Sequence, residues 1–218
     1  MTEKTWTAVD DYLNALIVRP DAALNSALEA SQAGGLPQIA VSAPQGKLLN
    51  LLARAVGARR ILEIGTLGGY SAIWLARALP PDGRLISLEY SPKHAEVARA
   101  NIARAGLAEV AEVRVGRGLD LMRSLSGPFD LFFIDADKEG YPDYFRGCLE
   151  LSRPGSLMVF DNVVRDGKVI EPKSRDSMVQ GVRRLYEDIS AEPRVSATSI
   201  QTVGSKGYDG FCMALVNR

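Results

Sequence analysis

The sequence predicts an open α/β sheet with mostly parallel strands, and three observations carry that prediction. From Arg60 onward, short apolar runs alternate with longer amphipathic ones, which is the rhythm of strand–helix–strand crossover units. Four of the short runs end in a carboxylate or within a residue of one: Glu63, Glu89, Asp135 and Asp161. Acids repeated at the same end of successive strands converge on one crevice, because open parallel sheets bind ligands outside the carboxyl ends of their strands. The last two apolar runs are joined by VGSKGYDG, a glycine-rich hairpin signal that adds an antiparallel pair at the sheet's end.

The elements follow in order. In Trp6 to Val18 the apolar Trp6, Val9, Leu13, Leu16 and Ile17 recur at helical spacing, and Pro20 closes the run. Asp21 caps a second helix, AALNSALEASQ, which stops at Gly34-Gly35, and a third runs from near Pro44 through GKLLNLLARAV to Gly57. The stretch LPQIAVSA between them has no periodicity and reads as a loop. The predicted strands are RILEI, RLISLE, AEVRV, FDLFFID, SLMVFDN, RVSATSIQT and FCMALVN. Helices are predicted over YSAIWLARAL, PKHAEVARANIARAG, GLDLMRSL, YPDYFRGCLEL and Ser177 to Ala191. One domain over residues 1–218 accounts for this order, with 1–43 a helical addition and 44–218 the core.

Composition narrows the function classes. Lys plus Arg and Asp plus Glu each number 26, so the formal charge is zero, which disfavours a nucleic-acid binder and leaves a small anionic substrate open. Cys148 and Cys212 lie far apart without metal-ligand spacing, which fits a reducing compartment. The first twenty residues carry acids where a signal peptide needs an apolar core, and no apolar run approaches the ~20 residues of a spanning helix. A cytoplasmic protein without a membrane partner is expected.

Glycines follow the first strand-end acid in Glu63-Ile64-Gly65-Thr66-Leu67-Gly68-Gly69-Tyr70-Ser71. Their order departs from Gly-x-Gly-x-x-Gly and no Walker lysine follows, so a pyrophosphate or triphosphate is less favoured than a zwitterionic ligand. Glu89 stands 26 residues after Glu63, where a carboxylate accepts the two hydroxyls of a ribose. Adenosine with an amino-acid tail, S-adenosylmethionine, matches both acids; spacing alone leaves NAD an equal alternative. Each acid taken singly also reads as the cap of a following helix.

Asp135, Asp161 and Asn162 are hard oxygen donors at neighbouring strand ends and suit magnesium, with Asp137 a further candidate ligand or outer partner. The alternative is a turn at Asp161-Asn162 and a helix cap at Asp137. Lys138, three residues past Asp135, reads either as a general base or as a solvated countercharge. His94, the single histidine, lies in a polar helix and reads as surface; Ser71 lacks the setting of a hydrolase nucleophile.

Taken together, LEIGTLGGYSAIWLA, FDLFFIDADKEGYPDYF and RPGSLMVFDNV resemble the cation-dependent O-methyltransferases of the caffeoyl-CoA and catechol type. The resemblance runs from about Pro44 to the C-terminus. It implies a Rossmann-like class I methyltransferase fold: a seven-stranded, mostly parallel sheet, its last strand antiparallel, with helices on both faces. It implies that Asp135, Asp161 and Asn162 bind the divalent cation (Mg2+, or Mn2+ or Ca2+), that Lys138 is the catalytic base, and that Asp135 also faces cofactor and substrate. By the same resemblance Glu63, Gly65, Thr66, Gly68, Tyr70, Ser71, Glu89 and Tyr90 hold S-adenosylmethionine, with Val41 and Gly118 touching it. The implied acceptor is a phenolic small molecule, a catechol-like or caffeoyl vicinal diol, and the implied assembly a homodimer. Two departures stand out: Gly116-Arg117-Gly118 replaces Gly-Asp-Ala, removing an acceptor for the adenine amino group, and GSKGYDG lacks a proline. Competing readings are a natural-product hydroxyl as acceptor, an NAD-dependent oxidoreductase, and a non-catalytic protein on the same scaffold.

Overall fold

Seven strands pair into one sheet in the computed structural model, which describes residues 2–217. They are β1 (Arg60–Ile64), β2 (Arg84–Glu89), β3 (Ala111–Val115), β4 (Leu131–Ile134), β5 (Leu157–Asp161), β6 (Val195–Gly204) and β7 (Gly207–Val216). Their order is β3-β2-β1-β4-β5-β7-β6, and β7 is the strand that runs against its neighbours. Strand order therefore reverses between β1 and β4, the position at which open sheets leave a crevice. The predicted mostly parallel sheet with an antiparallel last strand is present.

Alternation along each strand builds two cores. Ile61, Leu85, Leu131, Phe133, Leu157 and Val159 face one side, while Leu62, Ile64, Leu88, Phe132, Ile134, Met158 and Phe160 face the other. The first side is covered by α3 (Ala43–Ala55), α4 (Tyr70–Ala76) and α5 (Pro92–Arg104). The second is covered by α6 (Gly118–Met122), α7 (Tyr141–Glu150) and α8 (Ser177–Ala191). Strands buried on both faces are near-continuous apolar runs, which is why RILEI and LMVFD show so little polar alternation. Glu63, Ser87, Glu89 and Asp161 fall on the strand positions of the first side.

The N-terminal helices are α1 (Glu3–Leu13), continued by a π-helical turn over Asn14–Val18, and α2 (Ala22–Ala33). Asp21 caps α2 by accepting from Leu24 N–H at 3.1 Å, and Ser42 caps α3 by accepting from Gln45 N–H at 3.3 Å. The apolar stripe of the first helix is only partly covered: Val9, Leu16 and Ile17 are exposed, as is Tyr12 beside them, Trp6 and Leu13 are half-buried, and Asp10 is buried. Asp10 accepts from Ser205 N–H at 2.8 Å, tying α1 to the tip of the last hairpin. That hairpin is tighter than VGSKGYDG suggested. Only Ser205 and Lys206 separate the strands, and Gly207 at φ +90 makes so short a turn possible.

Asp130 pins the lower end of the sheet. Its carboxylate accepts from the N–H groups of Arg59 and Arg60 at 2.8 and 2.9 Å and from the Arg153 guanidinium at 2.6 Å. Burial acts to raise its pKa, but these donors outweigh it and hold it below the ordinary aspartate value of 3.8. The stabilisation is complete above that value and is lost as pH falls through the lower folded one. Asp130→Asn should cost about 1.5–3 kcal/mol near neutral pH by denaturant titration, and the difference from wild type should shrink in acid. An unchanged midpoint at pH 7 would refute the role.

No helix among the described residues is long and apolar enough to cross a membrane.

Candidate active site

The turn after β1 is built on two glycines with no substitute. Gly65 has φ +96, and a Cβ placed on it would sit 2.1 Å from the carbonyl oxygen of Asp135. The ends of β1 and β4 approach that closely because their pairing continues beyond the strands, with Asp135 N–H donating to Ile64 O at 2.9 Å. Gly69 has φ +82 and opens α4. Gly68 packs on Ser31 of α2, and its carbonyl accepts from Asn101 Nδ2 at 2.9 Å, so α2 and α5 brace the turn from behind.

Glu89, at the end of β2, holds this turn from the front. Its Oε2 accepts from Thr66 N–H at 3.2 Å and Leu67 N–H at 2.8 Å, and its Oε1 from Ser91 N–H at 2.8 Å. His94 Nδ1 lies 3.4 Å from the same Oε1 and the ring is half-buried, so the surface placement expected for His94 is corrected. The cap at Ser91 starts α5 so that its first turn leans back over Glu89.

Glu63 sits beneath the turn. It is fully buried, one oxygen bonded to the Ser87 hydroxyl, which in turn bonds Thr66 Oγ1; the other oxygen, Oε1, has no partner. Burial raises its pKa to about 7, against the pull of the Ser71 and Ser87 hydroxyls, although Ser71 makes no well-formed bond to Oε1. The native state thus keeps a proton that the unfolded chain releases. Stability falls as pH rises from the ordinary value of 4.5 to about 7, and is level above. Glu63→Gln escapes that loss. Its unfolding free energy without ligand, by denaturant titration, should exceed wild type by a margin that grows over this window, reaching on the order of 3 kcal/mol above pH 7. A margin independent of pH would contradict the assignment.

Across the crevice stand the other two acids. Lys138 Nζ donates to Asp135 Oδ1 at 2.6 Å, and the lysine is 6% exposed, in a 3-10 turn over Lys138–Gly140. Nζ also lies 5.0 Å from the ring centre of Tyr141, whose hydroxyl donates to the carbonyl of Asp161 at 2.6 Å. Asp161 is buried, and burial together with the charge of Asp135 raises its pKa to about 7. Lys138, the Asn162 N–H and the Gln45 side chain act in the opposite sense. Asn162 follows at φ +55 and lines the same crevice. No group of three or more His, Cys, Asp or Glu side chains arranged to hold a metal occurs among the described residues. The candidate set is two mutually repelling carboxylates and an amide, an all-oxygen donor set that fits a hard divalent cation. Asp137 is engaged elsewhere: its Oδ1 accepts from Tyr144 Oη at 2.7 Å.

These groups open on one cavity of about 810 Å³, within the size range of small-molecule sites. Of the residues singled out in the sequence, Val41, Gly65, Thr66, Gly68, Tyr70 and Ser71 line it. Glu89, Tyr90, Gly118, Asp135, Lys138 and Asn162 line it as well. Glu63 and Asp161 stand behind its wall rather than on it. Sequence reasoning missed Tyr144 and His94 as lining groups, and Asn101 as the brace; only Asn101, a polar residue inside an alanine-rich helix, left a readable signal.

A strand-end crevice with this glycine turn and these acids matches one family along nearly the whole chain. The family model described as O-methyltransferase matches residues 20–215. The chain belongs to the O-methyltransferase family. A catechol O-methyltransferase of Niastella koreensis is 50% identical over 99% of this chain and 100% of its own length. Among solved structures, the O-methyltransferase of Bacillus cereus in complex with SAH has a TM-score of 0.97 and 55% identity, covering 99% of this chain and 100% of that one. TomG of Streptomyces achromogenes, involved in tomaymycin synthesis and solved with SAM, has a TM-score of 0.97 and 54% identity over 100% of both chains. The methyltransferase therefore has the class I fold that the resemblance implied, and it is an enzyme of methyl transfer to oxygen.

Proposed function

We propose that this methyltransferase transfers a methyl group from S-adenosylmethionine to one hydroxyl of a catechol-like vicinal diol, with a divalent cation, Mg2+ or Mn2+, at Asp135, Asp161 and Asn162. The observation that carries the reading is the placement of Lys138 and Asp135 on the same cavity as the Glu89-braced glycine turn.

The donor supplies a methyl carbon activated by its sulfonium. Gly65, Thr66, Gly68, Tyr70 and Ser71 bind its amino-acid part along the turn, and Glu63 sets that turn from below. Glu89 accepts the ribose hydroxyls, Tyr90 and Gly118 flank the base, and Val41 covers the donor from the 34–42 loop. Asp135, Asp161 and Asn162 would hold the divalent cation, and its charge there would lower the pKa of the hydroxyl to be methylated. Lys138, once its own ammonium proton has passed to solvent and the pair with Asp135 has opened, accepts that proton at Nζ, so Asp135 positions the base as well as the acceptor. The buried side chains around Lys138 keep bulk water from competing for the proton. Alignment of oxygen, methyl and leaving sulfur supplies much of the rate, since the protein forms no covalent bond.

Residues 1–218 act as one domain in this reading, α1 being held by the Asp10–Ser205 bond. The exposed Val9, Tyr12, Leu16 and Ile17 give a homodimer an apolar contact, and two buried free cysteines suit the cytoplasm. The test is conversion of catechol by the purified protein with S-adenosylmethionine and Mg2+. Monomethylated catechol and S-adenosylhomocysteine should appear in equal amounts; no product from catechol or caffeoyl esters would reject the acceptor class.

A further inference from the structure

Two guanidiniums that the proposed chemistry does not use line the cavity, Arg117 and Arg165, and only Arg165 is half-buried without an acid in contact. Arg165 lies three residues past Asn162, on the rim of the acceptor end. Its placement is imposed by the backbone: Arg165, Asp166 and Gly167 take φ of +57, +54 and +81 in succession. Asp209 fixes that turn, its Oδ1 accepting from Val164 N–H at 2.9 Å and Arg165 N–H at 3.0 Å. Three left-handed residues in a row, two of them with side chains, are costly and persist only where surrounding contacts enforce them.

The side chain itself is left unsatisfied. Arg165 Nε is buried without a hydrogen-bond partner, and Nη2 has only the sulfur of Met178 at 3.7 Å. No carboxylate lies within 4.0 Å of it among the described residues. The acids of its neighbourhood make their bonds elsewhere: Glu139, which feels the charge of Arg165 without touching it, accepts from Ser177 Oγ at 2.6 Å, and Asp176 caps α8. The other cations on the cavity are engaged, Lys138 with Asp135 and His94 beside Glu89, while Arg117 is 75% exposed and 3.9 Å from Asp120. A half-buried guanidinium that lines a cavity with no carboxylate in contact can take an anion on its terminal nitrogens.

We propose that Arg165 binds a carboxylate on the acceptor, so that the natural substrate class is a vicinal-dihydroxy aromatic acid rather than a neutral catechol. The inference rests on the reading of the Lys138–Asn162 end as the acceptor site. Arginine matches a carboxylate through two parallel N–H···O bonds, which orients the ring as well as holding it. The apolar Pro37 and Ile39, which line the same cavity, suit the faces of a ring.

The test compares 3,4-dihydroxybenzoate with 3,4-dihydroxybenzamide, which share ring and hydroxyls and differ in charge, on wild type, Arg165→Gln and Arg165→Lys. Wild type should prefer the acid by about tenfold or more in kcat/KM, the scale of one charge-assisted contact. Arg165→Gln should abolish that preference mainly through KM, and Arg165→Lys should keep part of it. Absence of the preference in wild type, or its survival in a folded Arg165→Gln, overturns the anion site. If neither compound is methylated, the catechol reading falls, and calorimetric binding of the two compounds then decides the site. Tighter binding of the acid that is lost in Arg165→Gln supports it, and equal binding by both proteins overturns it.

Discussion

Lys138→Met is expected to lower kcat for methyl transfer by about 10²–10⁴-fold, the usual contribution of a positioned general base. Methionine keeps nearly the length and apolar stem of lysine, so the pocket beside Tyr141 stays filled, but it has no atom that accepts a proton. The wild-type amine is set for the task by two constraints: its 2.6 Å contact with Asp135 Oδ1 and its 6% exposure. Lys138→Arg makes the distinction between charge and basicity. It preserves the positive charge next to Asp135, yet a guanidinium does not give up its proton in a protein, so it should lose as much as methionine does. Calorimetry with S-adenosylhomocysteine should find the donor site working in both variants, which separates a lost base from a lost fold. A kcat within about threefold of wild type in either folded variant would place the base elsewhere.

Chelation should be nearly as severe. With EDTA the methyl transfer should fall to background, and excess Mg2+ or Mn2+ should restore it. Asp161→Asn should raise the cation concentration for half-activation by about 100-fold or more, since outer partners of a metal alone are worth 10–100-fold. The same substitution has the opposite effect on the metal-free protein. Asp161 is buried beside Asp135, and a neutral amide there relieves the repulsion between two acids, so the melting temperature without cation should hold or rise. Activity and stability moving in opposite directions is the mark of a carboxylate kept for a ligand. Activity that ignores EDTA would remove the cation from the reaction.

Much of the fold and of the site is legible in the sequence. RILEI and RLISLE coincide with β1 and β2 because inner strands leave mostly apolar residues to choose from, and AEVRV with the edge strand β3 because Ala111 and Val113 alternate with exposed or half-exposed residues. Gly65 was legible too, since a tight turn next to a strand end is where glycine is required. The apolar stripe of α1 was legible as a helix and misleading as to burial: periodicity records which face is apolar, not what covers it. His94 looked like one more polar residue on a polar helix, because its meeting with Glu89 depends on how α5 folds back from Ser91. Arg165 left no trace among the charges of VVRDGKVIEPKSRD; only the left-handed turn, held from Asp209, singles it out.

The strand-end acids divide the two kinds of knowledge most clearly. The sequence by itself determined that Glu63, Glu89, Asp135 and Asp161 lie at one edge of a parallel sheet, because chain direction and strand length are local properties. Whether each acid faces the ligand was decided by register and helix cover. Pairing sets Glu63 opposite Ser87 and Phe133, beneath the glycine turn, and leaves Asp161 behind the wall with Gln45. Glu89 and Asp135 reach the cavity from the same strand-end edge. Glu63, Glu89 and Asp161 stand on the same side of the sheet, so alternation does not separate them; how deep each lies along its strand, and what covers that strand's end, does. That choice belongs to the packing of the whole sheet, and only the tertiary structure makes it.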